Sequence, residues 1–395
     1  MNISATIFLS KGRDEAVRRF HPWVFSGAIN RIVGKPEDGD IVEVFDDSGN
    51  YLATGHACAG SIAVKIFHFG PDKPGIDFWE RKLSDAYKLR KALGFTSNRR
   101  SNAYRLIFSE GDGLPGLVTD IYNDVAVIQA HSTGMYLLRT DLAEALKKVY
   151  GKGLTAIYDK SSEALSKSGG KSGGDGFLFG TAVNTEIIEN GRRFIIDFIQ
   201  GQKTGFFLDQ RDNRALLAKY AKGRKVLNAF CYTGGFSVYA LAEGATHVTS
   251  LDSSAKAMEA LGRNLTLNNI SMANHESIVA DAKVYLSTLS DDFDLIVLDP
   301  PAFAKRHSDR HKGLQGYKFI NTAAIRNIRS GGLLFTFSCS QAIDNDMFVS
   351  MIMSSAIEAR RNVRILHHMG HSADHPVSIF HPEGAYLKGL VLMVD

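Results

Sequence analysis

The stretch Asp294-Leu-Ile-Val-Leu-Asp299-Pro300-Pro301-Ala302-Phe303-Ala304-Lys305 decides the fold class. Its apolar run, β-branched in part, reads as a short strand buried on both faces of a parallel sheet. The strand stops at a carboxylate, and two prolines then force the backbone out of helix and ladder alike. Ligands of open α/β sheets bind just beyond the carboxyl ends of the strands. Asp299 therefore heads a stiff loop where chemistry is expected, with an aromatic residue at Phe303. A solvated Asp in a turn after a buried strand is the plainer alternative, and the stretch alone does not choose between them.

Its surroundings favour the first reading. From about Gly201 onward strands alternate with helical patterns, as in a doubly wound sheet. Lys225–Phe230 runs into Cys231-Tyr232-Thr233-Gly234-Gly235, where glycines let backbone approach a ligand before a helix that starts near Phe236. His247–Leu251 ends in Asp252, whose carboxylate suits a ribose diol. Ser277–Ala280 ends in Asp281, a partner for an exocyclic amine. Each Asp alone can be a helix N-cap, and Asp281, followed by Ala-Lys-Val, keeps that alternative open. Together the acids point to an adenosine-bearing cofactor. Downstream, Gly332–Phe337 is a strand with Cys339 at its tip, between Ser338 and Ser340, ahead of a helix expected from Gln341. That position suits a nucleophile, against the ordinary alternative of a small buried cysteine. Leu387–Val394 reads as a final antiparallel strand.

The first seventy residues read differently. Short strand-like pieces such as Ile41–Phe45 and Tyr51–Thr54, punctuated by turn clusters, predict a small β-barrel. The segment Arg19–Ile29, with His21, Trp23 and Phe25, followed by Gly39-Asp40-Ile-Val-Glu-Val, resembles the start of a PUA domain, a compact RNA-binding barrel. Its aromatic residues are expected to be mainly core and turn residues. A helix over Phe78–Leu93 carries Arg81, Lys82, Arg90 and Lys91, with Arg99, Arg100 and Arg105 following. This is a phosphate-contacting face or a solvated one. Ser109–Asp120 is a glycine-rich turn feeding a strand that pairs with Val125–Gln129. A helix near 136–150 and a strand over 154–158 complete a small α/β unit. Residues 166–176 form a low-complexity loop, and Glu186–Asp197 is a hairpin turning on Asn190-Gly191.

Length and composition agree with a multi-domain globular chain: 395 residues, 44% hydrophobic and 22% charged, which suffices for two or three domains. A net charge of +4 and a pI near 8.8 are compatible with a nucleic-acid partner without proving one. Three cysteines, far apart and odd in number, offer neither a disulfide framework nor zinc spacing, so a reducing cytosol is the plain inference. No signal-peptide or membrane-spanning run is apparent, and the C-terminal histidines lack the alignment for a metal site. No metal or membrane partner is expected.

The order of strand, glycine turn, acid, acid and Asp-Pro-Pro resembles a class I S-adenosylmethionine-dependent methyltransferase. More narrowly, Gln202–Arg214, Asp299–Lys305, Gly316-Tyr317-Lys318, Phe337–Ser340 and Asp374-His375-Pro376 resemble the bacterial 23S ribosomal RNA large-subunit methyltransferase I family over the whole chain. The resemblance implies an α/β fold: a PUA-like barrel over 1–72, a small α/β middle domain over 73–185, a connecting hairpin over 186–200 and a doubly wound methyltransferase domain over 201–395. It implies S-adenosyl-L-methionine as cofactor, surrounded by Thr204, Phe207, Asp209, Gln210 and Arg211. From the glycine turn come Asn228, Phe230, Tyr232, Thr233 and Gly234, and from the acid-tipped strands Asp252, Ser253, Asp281, Ala282 and Asp299. Members of the family methylate carbon-5 of a cytosine in ribosomal RNA. Such chemistry needs a thiolate at carbon-6, so Cys339 is the expected nucleophile, with Asp299 hydrogen-bonding the ring edge. RNA contacts are expected from Pro300, Pro301, Phe303, Lys305 and Tyr317, and from Arg81, Lys82, Arg90 and Lys91. The expected partners are large-subunit ribosomal RNA and, as one option, a second copy of the chain. Two rival readings stay open: nitrogen methylation of a base, which needs no cysteine, and a non-catalytic RNA-binding assembly factor.

Overall fold

The run Leu295–Leu298 is a strand buried at all four positions, inside a seven-stranded sheet. The structure, a computed structural model, describes every residue except Ser97, Val183, Asn184 and Asp291. It comprises two units. One holds the seven-stranded sheet and comprises Ile188–Ile195, Phe207–Ser372 and Ala385–Asp395; the other comprises Met1–Ile187, Ile196–Phe206 and Ala373–Gly384.

In the first of these the strands are β1 (Lys225–Ala229), β2 (His247–Asp252), β3 (His275–Val279), β4 (Leu295–Leu298), β5 (Gly332–Ser338), β6 (Val363–Met369) and β7 (Lys388–Val394). Their order is β3-β2-β1-β4-β5-β7-β6. The first five run parallel, and β7 is antiparallel to both neighbours. Parallel strands need crossover connections, and helices α2 (Gly235–Ala242), α3 (Ala255–Leu267), α4 (Ala282–Ser287) and α5 (Arg310–Asn327) link β1 to β5 in turn, while α1 (Arg211–Ala221) precedes β1 and α6 (Asn345–Ala359) lies between β5 and β6. Strand order reverses at β1 and β4, the point beyond whose carboxyl ends ligands of such sheets bind. This is the expected doubly wound sheet. One expectation fails locally, and one strand has no counterpart among the expectations. The helix after Cys339 begins at Asn345, not Gln341, because Asp344 caps it by accepting the Met347 amide at 2.8 Å. Strand β6 was not foreseen: it is an edge strand with no fully buried position and a bulge between Ile365 and His367, so it lacks an apolar signature.

The other unit contains a six-stranded sheet ordered Trp23–Phe25, Ile62–Phe69, Tyr51–Ala57, Ile41–Phe45, Ala5–Leu9, Ile29–Gly34. Four of its five pairings carry a register shift, which bends the strands and curls the sheet around Ile7, Leu9, Val42, Val44, Val64 and Ile66. A five-stranded sheet follows, ordered Gly176–Gly180, Ala156–Asp159, Val125–Ala130, Leu117–Tyr122, Ala103–Phe108, with helices Phe78–Ala92 and Arg139–Tyr150. The strand Gly176–Gly180 takes over where the low-complexity loop ends, its sequence signal diluted by two glycines. At the connecting hairpin Asn190 and Gly191 both have positive φ (51° and 83°), as its type I′ turn requires.

The aromatic residues of the barrel divide. Trp23 is half-buried, donating from Nε1 to Glu110 at 3.0 Å, whereas Phe25 is 47% exposed and so is no core residue. The basic helix also divides. Arg81 and Lys91 are exposed and Lys82 is half-buried, but Arg90 is 0% exposed. Arg90 forks onto Asp112 and donates to the carbonyls of Arg105 (2.8 Å) and Asp374 (2.7 Å). The expected phosphate contact by Arg90 is therefore corrected: the guanidinium faces inward because Asp112 and two carbonyls satisfy it there. Breaking a buried pair by removing one member leaves an uncompensated charge. Arg90→Met should destabilise the protein by about 3–5 kcal/mol in urea unfolding, while exposed Arg81→Met should shift stability by no more than about 0.5 kcal/mol.

Candidate active site

Beyond the carboxyl end of β1 the chain makes a strained turn: Phe230 and Tyr232 have φ of 61° and 47°, and Gly234 has φ 80°. A side chain at Gly234 would put its Cβ 2.6 Å from Leu261, so only glycine fits. Strain of this kind in non-glycine residues persists only where surrounding bonds over-determine it. Here Asp252, at the end of β2, supplies them: Oδ2 accepts the Tyr232 amide and Oδ1 the Ser254 amide, both at 2.9 Å. A carboxylate has about four acceptor positions, so Asp252 retains capacity for further hydroxyl donors. Asp281 is exposed and caps α4: Oδ1 accepts the amides of Lys283 (2.8 Å) and Val284 (3.1 Å), while Oδ2 accepts nothing among the described residues. The cap and the ligand readings of Asp281 thus use different oxygens.

The Asp-Pro-Pro loop is fastened to the tip of β5. Ser340 Oγ accepts the Ala304 amide at 3.1 Å and lies 2.9 Å from Tyr317 Oη, which in turn accepts the Phe303 amide at 3.4 Å. Glycines on α5 permit this approach: a Cβ at Gly313 would meet Ala304 at 2.6 Å. Tyr317 is fully buried, so its expected RNA contact is corrected to a brace beneath the loop, and burial raises its phenol pKa. Above it the half-buried Phe303 ring lies 4.7 Å from the Tyr317 ring, with Lys283 Nζ 4.7 Å over it. Pro300 is buried, and Pro301 and Lys305 are exposed. Cys339 is half-buried, its Sγ 3.8 Å from the Pro300 carbonyl. Lys388, which begins β7 opposite Ser338, is 4% exposed and donates to the Ser340 carbonyl at 2.7 Å. It escaped sequence reading, although a lysine heading the apolar run Gly389–Val394 was a usable signal.

Two family models match this architecture: an S-adenosylmethionine-dependent methyltransferase model over residues 172–378 and a PUA-like domain over 7–69. A ribosomal RNA large subunit methyltransferase I from Tolumonas auensis is 39% identical over 398 residues, 99% of each chain. The chain belongs to the ribosomal RNA large subunit methyltransferase I family. A relative of the same name from Escherichia coli is 38% identical, covering 99% of this chain and all of its own. Among solved structures, the methyltransferase SMU.776 in complex with SAH shares the fold, with a TM-score of 0.84 at 23% identity over 98% of this chain and 100% of its own. S-adenosylmethionine is the cofactor of this methyltransferase.

The sheet's donor set fits that group. Asn228, 1% exposed at the end of β1, donates to Ser237 Oγ at 2.8 Å, but its buried Oδ1 has no donor among the described residues. An amino acid's ammonium group would supply one. Other residues expected around the cofactor have structural partners. Asp209 accepts from Tyr386 Oη and Gln210 from Asn213 (2.6 Å); Arg211 lies 3.5 Å from Glu189 and donates to Ser372 at 3.3 Å. Phe207 packs edge-on against Tyr232 with centroids 5.3 Å apart, and the Thr233 carbonyl accepts from Asn264. Phe230 is half-buried, Ser253 exposed and Ala282 buried. Thr204 belongs to the other unit, where its hydroxyl bonds Asp120 (2.5 Å) and Tyr122 (2.9 Å).

Tyr317→Phe keeps the ring and removes only the hydroxyl bridging Ser340 and Phe303. It should cost about 1–3 kcal/mol, the penalty of stranding buried polar groups. Amide exchange at Phe303 and Ala304 should accelerate, as hydrogen–deuterium exchange would show.

Proposed function

We propose that this methyltransferase modifies carbon-5 of a cytosine in large-subunit ribosomal RNA through a covalent adduct to Cys339. The names of its relatives support the substrate class. The observation that carries the chemistry is the placement of Cys339: a half-buried thiol at the carboxyl end of β5, 3.8 Å from the Pro300 carbonyl, one strand away from Asp299. Nitrogen methylation has no use for a thiol there.

Carbon-5 of cytosine is too weak a nucleophile to be methylated unaided. The Cys339 thiolate adds to carbon-6, and the ring becomes an enamine with electron density at carbon-5. Asp299 hydrogen-bonds the N3/N4 edge as that charge moves, held by the rigid proline pair. S-adenosylmethionine supplies the electrophilic methyl group. Loss of the carbon-5 proton then restores the double bond and expels the Cys339 thiolate. In this reading Asp252 receives the ribose hydroxyls, Asp281 Oδ2 the adenine amine, and Asn228 Oδ1 the methionine ammonium. Phe303, Pro301 and Lys305 meet the RNA at the loop. The exposed Arg81 and Lys91, with Arg99 and Arg100, contact phosphates. The division into barrel (1–72), middle domain (73–185), hairpin (186–200) and catalytic domain (201–395) belongs to the same reading.

Fluorine at carbon-5 cannot leave as a proton does, so the enzyme should remain bonded to substrate RNA carrying 5-fluorocytidine. A denaturation-resistant complex dependent on S-adenosylmethionine is expected on gels. Cys339→Ala should abolish both complex and turnover, by orders of magnitude, while retaining cofactor affinity. Cys58→Ala and Cys231→Ala should still form it. Near-normal methylation by folded Cys339→Ala would move the assignment to a ring or exocyclic nitrogen.

A further inference from the structure

A thiol nucleophile at neutral pH needs positive potential nearby, and helix N-termini are one common source. Here α6 begins only at Asn345, and Asp344 sits at its N-cap with a carboxylate of its own. A buried cation close at hand is Lys388. It faces Ser338 across the β5–β7 ladder and is almost completely buried. Its Nζ is fixed 2.7 Å from the carbonyl of Ser340, the residue after Cys339. That is the one acceptor it has among the described residues, so two of its three N–H groups are uncommitted. Burying an ammonium group is unfavourable unless an anion accompanies it. We propose that the Lys388 ammonium holds Cys339 as a thiolate, making Lys388 a positioning residue for the nucleophile.

Burial lowers the Lys388 pKa to about 8, opposed by the charges of Cys339 and Asp344. At neutral pH Lys388 is therefore still mostly protonated, and the Cys339 proton leaves to solvent. The titratable and charged groups around the pair include Tyr317 from α5, whose phenol pKa is raised by burial and then by the Cys339 charge, Asp344 ahead of α6, and Arg310 of α5, whose Nε donates to the Ala342 carbonyl at 2.8 Å. Asp299 heads the loop on the adjoining strand β4. Tyr317 stays neutral, and Asp344 competes with Cys339 for the lysine. Lys388 therefore brings a local positive charge that the missing helix terminus does not supply.

The proposal rests on the reading of Cys339 as the nucleophile, but its test does not need RNA. The rate of iodoacetamide alkylation at Cys339, followed by peptide mass mapping across pH 5.5–9.5, reports the thiol's apparent pKa in the full chain. In the wild-type protein it should lie below the ordinary value of about 8.5. Lys388→Gln keeps a hydrogen-bond donor and removes the charge. It should raise the apparent pKa by about one unit or more, slowing alkylation near pH 7 about tenfold, while Lys388→Arg stays close to wild type. A wild-type value at or above 8.5 overturns the proposal without any variant, as does an unchanged profile in folded Lys388→Gln. If the thiol titrates low but 5-fluorocytidine RNA forms no adduct, the ion pair stands and the cytosine mechanism falls.

Discussion

Ser340 Oγ receives the Ala304 amide and pairs with the buried Tyr317 hydroxyl, and through that one oxygen the Asp-Pro-Pro loop is tied to the tip of β5. Neither segment is held by ladder hydrogen bonds. The prolines cannot join a ladder, and the chain after Ser338 has left the sheet. The tie sets Pro300 against Cys339 and keeps Asp299 on the adjoining strand, so loop and thiol form one rigid edge. Glycine at 313 and at 316 is the requirement that follows, because α5 must pass within contact of Ala304 and Phe303.

A second tie, Asp252 onto the amides of Tyr232 and Ser254, stabilises a turn whose dihedrals are otherwise unfavourable. The two ties lie on opposite sides of the point where strand order reverses. Between them stand β1 and β4, with the orphan acceptor of Asn228 at the end of the former. Three strands ending in carboxylates are thus put to different uses. Asp252 braces backbone, Asp281 caps a helix with one oxygen, and Asp299 heads the loop over the thiol.

Much of this was legible in the sequence because buried parallel strands are continuous apolar runs and their ends are marked by Asp, Gly or Pro. Leu295–Leu298, Lys225–Ala229 and Gly332–Ser338 all fall where the pattern places them. Legibility failed where local sequence carries no imprint of a distant partner. Arg90 looks like any helical arginine until Asp112 and the Asp374 carbonyl are found around it. Tyr317 looks like a stacking group until its hydroxyl meets Ser340. The helix after Cys339 was placed too early because its cap, Asp344, lies beyond an apolar pair, Ala342-Ile343, that itself reads as helical. Edge strand β6 is half-exposed and bulged, and so has no period to detect.

Nucleoside analysis of large-subunit ribosomal RNA, from cells with and without this protein, tests the central claim most directly. Digestion and mass spectrometry distinguish a methyl on carbon-5 from one on a nitrogen. The account predicts that deletion removes one 5-methylcytidine and that the purified protein restores it to that RNA with S-adenosylmethionine. Loss of a nitrogen-methylated base instead, with 5-methylcytidine intact, would contradict it.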